Sequence, residues 1–119
     1  MKDIRHLTRP EQYAEVFNRG ISRATGLLVL RAISNGLDFS RYGFSISKKV
    51  GGAVVRNKLK RRLREIMRVL NFIPGRDIVV IARPKAAESD FPELKNSLLS
   101  LLERGDLLNK NEELCLKAN

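Results

Sequence analysis

The sequence has few of the residues from which protein catalytic and metal sites are built. It contains one cysteine, Cys115, and one histidine, His6, so it offers no cysteine pair for an internal disulfide. Neither residue has a partner at the spacing of zinc ligands, and Cys115 has no base beside it. The acidic residues are scattered rather than clustered as acid–base or two-metal cleavage requires. We therefore expect no catalytic residue and no metal site in the protein itself.

Long apolar runs are also absent. No stretch approaches the roughly 18 apolar residues of a membrane span, and residues 1–6 lack the start of a secretion signal. A single cysteine is typical of a reducing compartment. We expect a cytoplasmic protein with no membrane partner. The 43% of hydrophobic residues suffice for one domain over 1–119, with about 106–119 as a flexible tail.

Positive charge is what the sequence has in excess. The 23 Lys and Arg residues outnumber 13 Asp and Glu residues, which gives a net charge of +10. Residues 51–70 alone carry seven basic side chains and one acidic side chain. Because an ordinary soluble surface intersperses the two signs, this concentration predicts a patch that binds a polyanion. The alternative is a solvated helix face, on which the self-repulsion of these charges would stay unrelieved.

Hydrophobic periodicity predicts an α+β domain, an α/β sandwich of about four mixed strands and three helices in the order α-β-β-β-α-β-α. The helices are expected at 10–19, at about 53–70, and from a cap at Ser89 or Asp90 to Gly105. The strands are expected within 21–33, with a break at Gly26, and at 41–47 and 78–82. The strand, helix and strand in the middle predict a parallel pair joined by a crossover, which the general rule makes right-handed.

The basic residues of the second helix are expected to share one surface, away from its apolar stripe. Steps of three and four residues bring side chains onto the same face of a helix. The arginine fork suits bidentate phosphate contact, and an asparagine can hydrogen-bond a base edge or a sugar. This pattern predicts a nucleic-acid-binding helix without choosing between DNA and RNA. Its members are Arg56, Asn57, Lys60, Arg61, Arg64 and Arg68.

The same window resembles the protein subunit of bacterial ribonuclease P. The resemblance is carried by Phe44-Ser45-Ile46-Ser47-Lys48-Lys49-Val50-Gly51, then Ala53-Val54, then Arg56-Asn57-x-x-Lys60-Arg61-x-x-Arg64. Residues 13–17 with Gly20 resemble the first helix of that family, and residues 77–83 resemble its last strand. The match covers roughly residues 5–104.

The resemblance implies that an RNA and the protein have different roles in one enzyme. In that family a large RNA carries the active site and its Mg²⁺ ions, and the small protein assists removal of 5′ leaders from precursor tRNA. The protein has no small-molecule substrate, one copy is expected per RNA, and the crossover around the basic helix is left-handed. The residues implied to face the catalytic RNA are Arg56, Asn57, Lys60, Arg61 and Arg64, with Ser47, Lys48 and Lys49 nearby. The residues implied to face the leader are Tyr13 and Phe17, with one face of the central strands.

Three positions depart from the family's pattern. Lys58 stands where many relatives have arginine, which keeps a phosphate contact but loses its bidentate geometry. Gly52 replaces a commonly polar or basic residue. Arg31 occupies a strand position where some relatives carry an aromatic ring, so we expect it to contact a leader phosphate instead of stacking on a base.

Other interpretations stay open at this point. Tyr13 and Phe17 are one helical turn apart, and aromatic pairs at that spacing are usually core. A small basic ribosomal protein would explain the charge without a role in tRNA processing. A protein nuclease lacks its cluster of carboxylates or histidines here, and a sequence-specific DNA-binding domain lacks its helix-turn-helix layout.

Overall fold

The computed structural model describes residues 4–109 and confirms the α+β class. The strands are β1 (Ile4–His6), β2 (Ile21–Ala24), β3 (Leu28–Ser34), β4 (Ser40–Ser45) and β5 (Arg76–Ala82). The α-helices are α1 (Pro10–Arg19), α2 (Ala53–Arg68) and α3 (Phe91–Arg104), and a short 3₁₀ helix, Pro84–Glu88, precedes α3. The predicted break near Gly26 separates β2 from β3.

Two predictions need correction. The sheet has five strands rather than about four, because three-residue β1 is too short to show an alternating pattern. The flexible tail does not begin at 106: Leu107 and Leu108 are buried in the core, and Leu108 bridges to Phe72. Residues 110–119, the rest of the predicted tail, lie outside the described residues.

The sheet has the strand order β1-β4-β5-β3-β2. β4 is parallel to both β1 and β5, whereas β3 is antiparallel to both β5 and β2. The parallel neighbours β4 and β5 flank α2 in sequence, which confirms the predicted crossover around the basic helix. Its left-handed sense stays a prediction.

Alternate residues of the central strand β5 pack into two separate hydrophobic clusters, one on each face of the sheet. Ile78 and Val80 of β5 point into the main core, which α2 and α3 cover. Val79 points to the other face, where it packs with Leu7 and Val16 beneath α1. Burial on both faces explains why β5 is a continuous run of β-branched residues rather than an alternating one.

Helix α2 is oriented by its apolar stripe. Leu59, Leu63, Ile66 and Met67 are buried against the sheet and α3. This placement turns the opposite side of α2 to solvent, as expected for an amphipathic surface helix. The basic residues therefore line the outside of this layer.

A buried ion pair joins β4 to β5 on the face that α1 covers. Asp77 accepts hydrogen bonds from Arg41 Nε at 2.8 Å and from Arg41 Nη2 at 2.6 Å. Asn35 Nδ2 donates to the same carboxylate at 2.9 Å. The hydrogen bonds to Asp77 raise the pKa of the Arg41 guanidinium, so the guanidinium stays charged. The Asp77 carboxylate thus accepts three side-chain hydrogen bonds. Because Arg41 and Asp77 lie directly opposite each other on β4 and β5, the ion pair supports the register of these two strands.

We predict that Asp77→Ala lowers the free energy of unfolding by about 3–5 kcal/mol, because it leaves a partly buried guanidinium without its acceptor. The matched control is Asp38→Ala, which removes an exposed carboxylate from a turn and should change stability by less than about 0.5 kcal/mol. Urea unfolding followed by circular dichroism measures both values. Equal, small effects of the two substitutions would show that the pair adds little to the fold.

Candidate nucleic-acid interface

The predicted basic surface exists on α2. Its side chains project from the side opposite the buried stripe and are exposed to solvent, except that of Arg56. Arg56 is half-buried and donates from Nε to the Gly51 carbonyl at 3.2 Å, which holds it along the start of the helix. The exposed members are Asn57, Lys60, Arg61, Arg64 and Arg68.

The turn before α2 extends this surface. Ser47, Lys48 and Lys49 are exposed, while Val50 is buried and anchors the turn through its N–H, which donates to the Ser47 carbonyl at 3.1 Å. Gly51 permits a close approach to α2, because a Cβ at this position would lie 2.9 Å from the Cβ of Val55. The three polar residues are thereby held beside the first turn of the helix. We name this turn with the six predicted α2 residues the basic surface.

Two flanking charges behave differently from each other. Arg62 turns away from the basic surface and donates to the Ser89 carbonyl at 3.4 Å, which ties α2 to the start of α3. Glu65 lines a shallow depression of about 140 Å³ with Arg61, Arg64 and Arg68. One carboxylate therefore lies within the arginine cluster.

An aromatic row lies next to Arg64, and the sequence patterns did not reveal it. The Tyr42 ring lies 4.8 Å from the His6 ring and 5.4 Å from the Phe44 ring, measured between centroids. Burial raises the pKa of the Tyr42 phenol, and the nearby charge of Arg64 partly opposes that rise. His6 is exposed at the end of this row. The short strand β1 places it there, which explains why sequence periodicity missed it.

The second predicted site lies on the opposite face of the sheet, beside α1. Tyr13 and Phe17 are half-buried and pack against the small cluster of Leu7, Val16 and Val79. Each ring thus contributes to packing and also keeps an open side. The packing agrees with the core interpretation of this pair, and its leader-facing role stays a prediction.

Tyr13 is held in place by close contact with β4. A Cβ at Gly43 would lie 2.1 Å from the Tyr13 hydroxyl oxygen and 2.6 Å from its Cζ atom, so only glycine leaves room for this ring. Burial raises the pKa of the Tyr13 phenol, and a hydrogen bond from the Phe44 backbone lowers it in part. The phenol therefore stays neutral near pH 7.

The strands provide an open floor next to the two rings. Register places Ser45, Ile81, Val29 and Ala24 side by side across β4, β5, β3 and β2, on the face that α1 only partly covers. None of the four is buried. This row spans three strand spacings, roughly 14 Å. We name the row, its aromatic wall of Tyr13 and Phe17, and Arg31 the cleft.

Arg31 belongs to the cleft by register, since it pairs with Val79 on β5 and with Ser22 on β2. Its side chain is half-buried, and its buried Nε has no hydrogen-bond partner among the described residues. A buried donor without an acceptor costs about 1–3 kcal/mol. An acceptor supplied by a bound ligand would remove that cost.

Residues 4–109 contain neither a cluster of metal-ligating side chains nor a membrane-spanning helix. No three His, Cys, Asp or Glu side chains come close enough there to hold a metal ion together. No helix of this part of the chain has the length and apolar character needed to cross a membrane. Cys115, the only cysteine, lies outside the described residues.

Comparison with known proteins agrees with this geometry. The family model described as Ribonuclease P matches residues 1–106. A ribonuclease P protein component of Dehalococcoides mccartyi (strain ATCC BAA-2266) is 44% identical over 120 residues, which cover 100% of both chains. The solved RNase P protein of Staphylococcus aureus superposes with a TM-score of 0.80 at 32% identity, covering 87% of this chain and 97% of that one. That of Thermotoga maritima gives 0.74 at 38% identity, covering 83% and 96%.

We predict that Gly43→Ala displaces the Tyr13 ring and lowers the free energy of unfolding by about 1–3 kcal/mol, the usual cost of overpacking. Gly26→Ala is the matched control, because a Cβ there meets nothing within 4 Å. The double variant Gly43→Ala with Tyr13→Ala should be little less stable than Tyr13→Ala alone. Strictly additive losses in chemical unfolding would mean that the two residues do not compete for the same space.

Proposed function

The chain belongs to the ribonuclease P protein family, and we propose that its two surfaces serve two different RNAs. The basic surface binds the catalytic RNA, and the cleft holds the single-stranded 5′ leader of precursor tRNA. The family assignment makes the chain the protein component of a bacterial ribonucleoprotein endoribonuclease that processes tRNA, and its partner is an RNA subunit. The ribosomal-protein alternative is not supported.

One observation carries this proposal: the two surfaces lie on opposite sides of one sheet. α2 packs with the main core on one face, while α1 packs over Val79 on the other. Two RNAs can therefore contact the protein at the same time without competing for a side chain. A purely structural RNA-binding protein has no need for a second, aromatic-walled cleft.

The chemistry of each surface suits its proposed RNA. Exposed lysines and arginines on α2 give sequence-independent contacts to phosphates, which suits a folded RNA. The half-exposed rings of Tyr13 and Phe17 offer faces for unpaired bases, and Arg31 offers donors beside them. A net charge of +10 also screens the repulsion between the catalytic RNA and its substrate.

Mg²⁺ belongs, in this proposal, to the RNA subunit and the substrate phosphates. The donor set of residues 4–109 does not fit a protein-held Mg²⁺ site, which needs convergent carboxylate oxygens. The protein contributes binding, orientation and charge screening, and the RNA carries the active site. One protein per RNA in the cytoplasm completes the proposal.

Neutralising two central arginines tests the basic surface. We predict that Arg61→Gln with Arg64→Gln weakens binding to the catalytic RNA and flattens the log–log salt dependence by about two units, roughly one per lost duplex phosphate contact. Lys85→Gln with Lys95→Gln is the control, because it removes the same charge from exposed positions outside α2. Filter binding over a salt series measures the slope. Equal slopes for the two double variants would place the catalytic RNA elsewhere.

Shortening the leader tests the cleft. We predict that Phe17→Ala costs about 1–3 kcal/mol of affinity for precursor tRNA, the value of one lost base stack. The loss should disappear with mature tRNA and with leaders of one or two nucleotides, which leave the cleft empty. Affinities of the holoenzyme for a leader-length series provide the measurement.

Phe91→Ala is the matched control for Phe17→Ala, because it truncates a partly buried phenylalanine that packs on the main core instead. It should lower the melting temperature without any dependence on leader length. If Phe17→Ala behaves like Phe91→Ala, lowering stability and affecting precursor and mature tRNA alike, the ring is core and the leader assignment is wrong.

A further inference from the structure

A further concave site lies at the free edge of the sheet, away from the basic surface and on the other face of β2 from the cleft. It is a groove of about 400 Å³ between β2, the end of β3 and the chain that follows α3. Register places Ile21 beside Ala32 and Arg23 beside Leu30, so these side chains project to the face that α3 covers. α3 packs on β3 and α2 packs on α3, so α3 separates the groove from the basic surface.

The groove combines an apolar floor with a rim of arginines. Leu30 and Leu107 form part of the floor, and Ile21 beside them is 72% exposed. Arg19, Arg23 and Arg76 surround it, and none of the described lining residues is acidic. Among the described residues, only Arg19 of these three has a carboxylate partner, Glu15 at 3.5 Å, and that pair is largely exposed to solvent. We name this site the arginine groove.

These features favour an RNA occupant over another protein chain. A second copy of this chain would bring another +10 charge to a rim that is itself cationic. Phosphates match the guanidinium rim, and an unpaired base can cover the exposed side chain of Ile21. A single-stranded stretch of RNA supplies phosphates and unpaired bases together.

Strand β2 connects the arginine groove to the cleft. Ser22 and Ala24 project to the cleft face of this strand, and Ile21 and Arg23 project to the groove face. β2 is an edge strand, and all four of its residues are exposed, so no part of the described chain blocks passage around it. An RNA strand that crosses the cleft from β4 to β2 therefore leaves it next to the groove.

The direction of the leader follows from where it must be cut. Its 3′ end joins the tRNA at the phosphodiester bond that is cut at the catalytic RNA, and Lys48 and Lys49 of the basic surface follow the β4 end of the cleft. The 5′ portion then leaves over Ala24 at the β2 edge. Resting on the function proposed above, we propose that the arginine groove binds the upstream nucleotides of long leaders, beyond those held in the cleft.

The test measures the affinity of the reconstituted holoenzyme for precursor tRNAs with leaders of about two, five and twelve nucleotides, which lie below, near the lower end of and well inside the roughly 4–16 nucleotides of typical single-strand sites. Arg23→Gln is the variant, because Arg23 is exposed on an edge strand. Lys95→Gln is the matched control, an exposed charge on α3 outside the groove. Phe17→Ala is measured in parallel as the cleft variant.

We expect Arg23→Gln to weaken binding about three- to tenfold for the twelve-nucleotide leader only, and to lower its salt slope by about 0.7. Lys95→Gln should change neither value. An Arg23→Gln loss that is equal at all three lengths would assign the groove to the catalytic RNA or to the tRNA body and overturn the proposal, as would no loss at twelve nucleotides. Phe17→Ala reports separately on the cleft, since it should weaken the five- and twelve-nucleotide leaders alike.

Discussion

Burial of strand β5 on both of its faces is the constraint on which the rest of the structure depends. Ile78 and Val80 require cover from α2 and α3, and Val79 requires separate cover from α1. Because one strand must be shielded twice, the basic helix and the aromatic helix lie on opposite sides of the sheet. The separation of the basic surface from the cleft is thus a consequence of packing, with the Arg41–Asp77 pair holding the neighbouring strand in register.

Packing and the proposed leader binding use the same side chains in the cleft. Tyr13 and Phe17 complete a small cluster built on Leu7, Val16 and Val79, yet each keeps an open side. Such a small cluster leaves the rings half-buried, which presents rigid aromatic faces at little cost in side-chain entropy. Arg31 carries a cost in the same cleft, since its buried Nε has no acceptor among the described residues and a ligand acceptor would satisfy it.

The sequence patterns correctly predicted the features that depend on neighbouring residues in the chain. The bounds of α1 and the outward basic face of α2 follow from helical periodicity, and both match the structure. Features set by distant parts of the chain could not be read in this way. The three residues of β1 form a strand because they pair with β4, which lies far away in the sequence. Leu107 is buried because the chain folds back onto the core after α3. The arginine groove likewise assembles Arg19, Arg23 and Arg76 from separate elements.

The central claim is that this protein binds and orients RNA while the chemistry belongs to its RNA partner. The most direct measurement is cleavage of precursor tRNA by the RNA subunit alone, by the protein alone and by the two together, over a Mg²⁺ series. The account predicts no cleavage by the protein alone at any Mg²⁺ concentration. It also predicts that adding the protein to the RNA lowers the Mg²⁺ concentration needed for cleavage. Cutting at the same phosphodiester bond by the purified protein alone would contradict it.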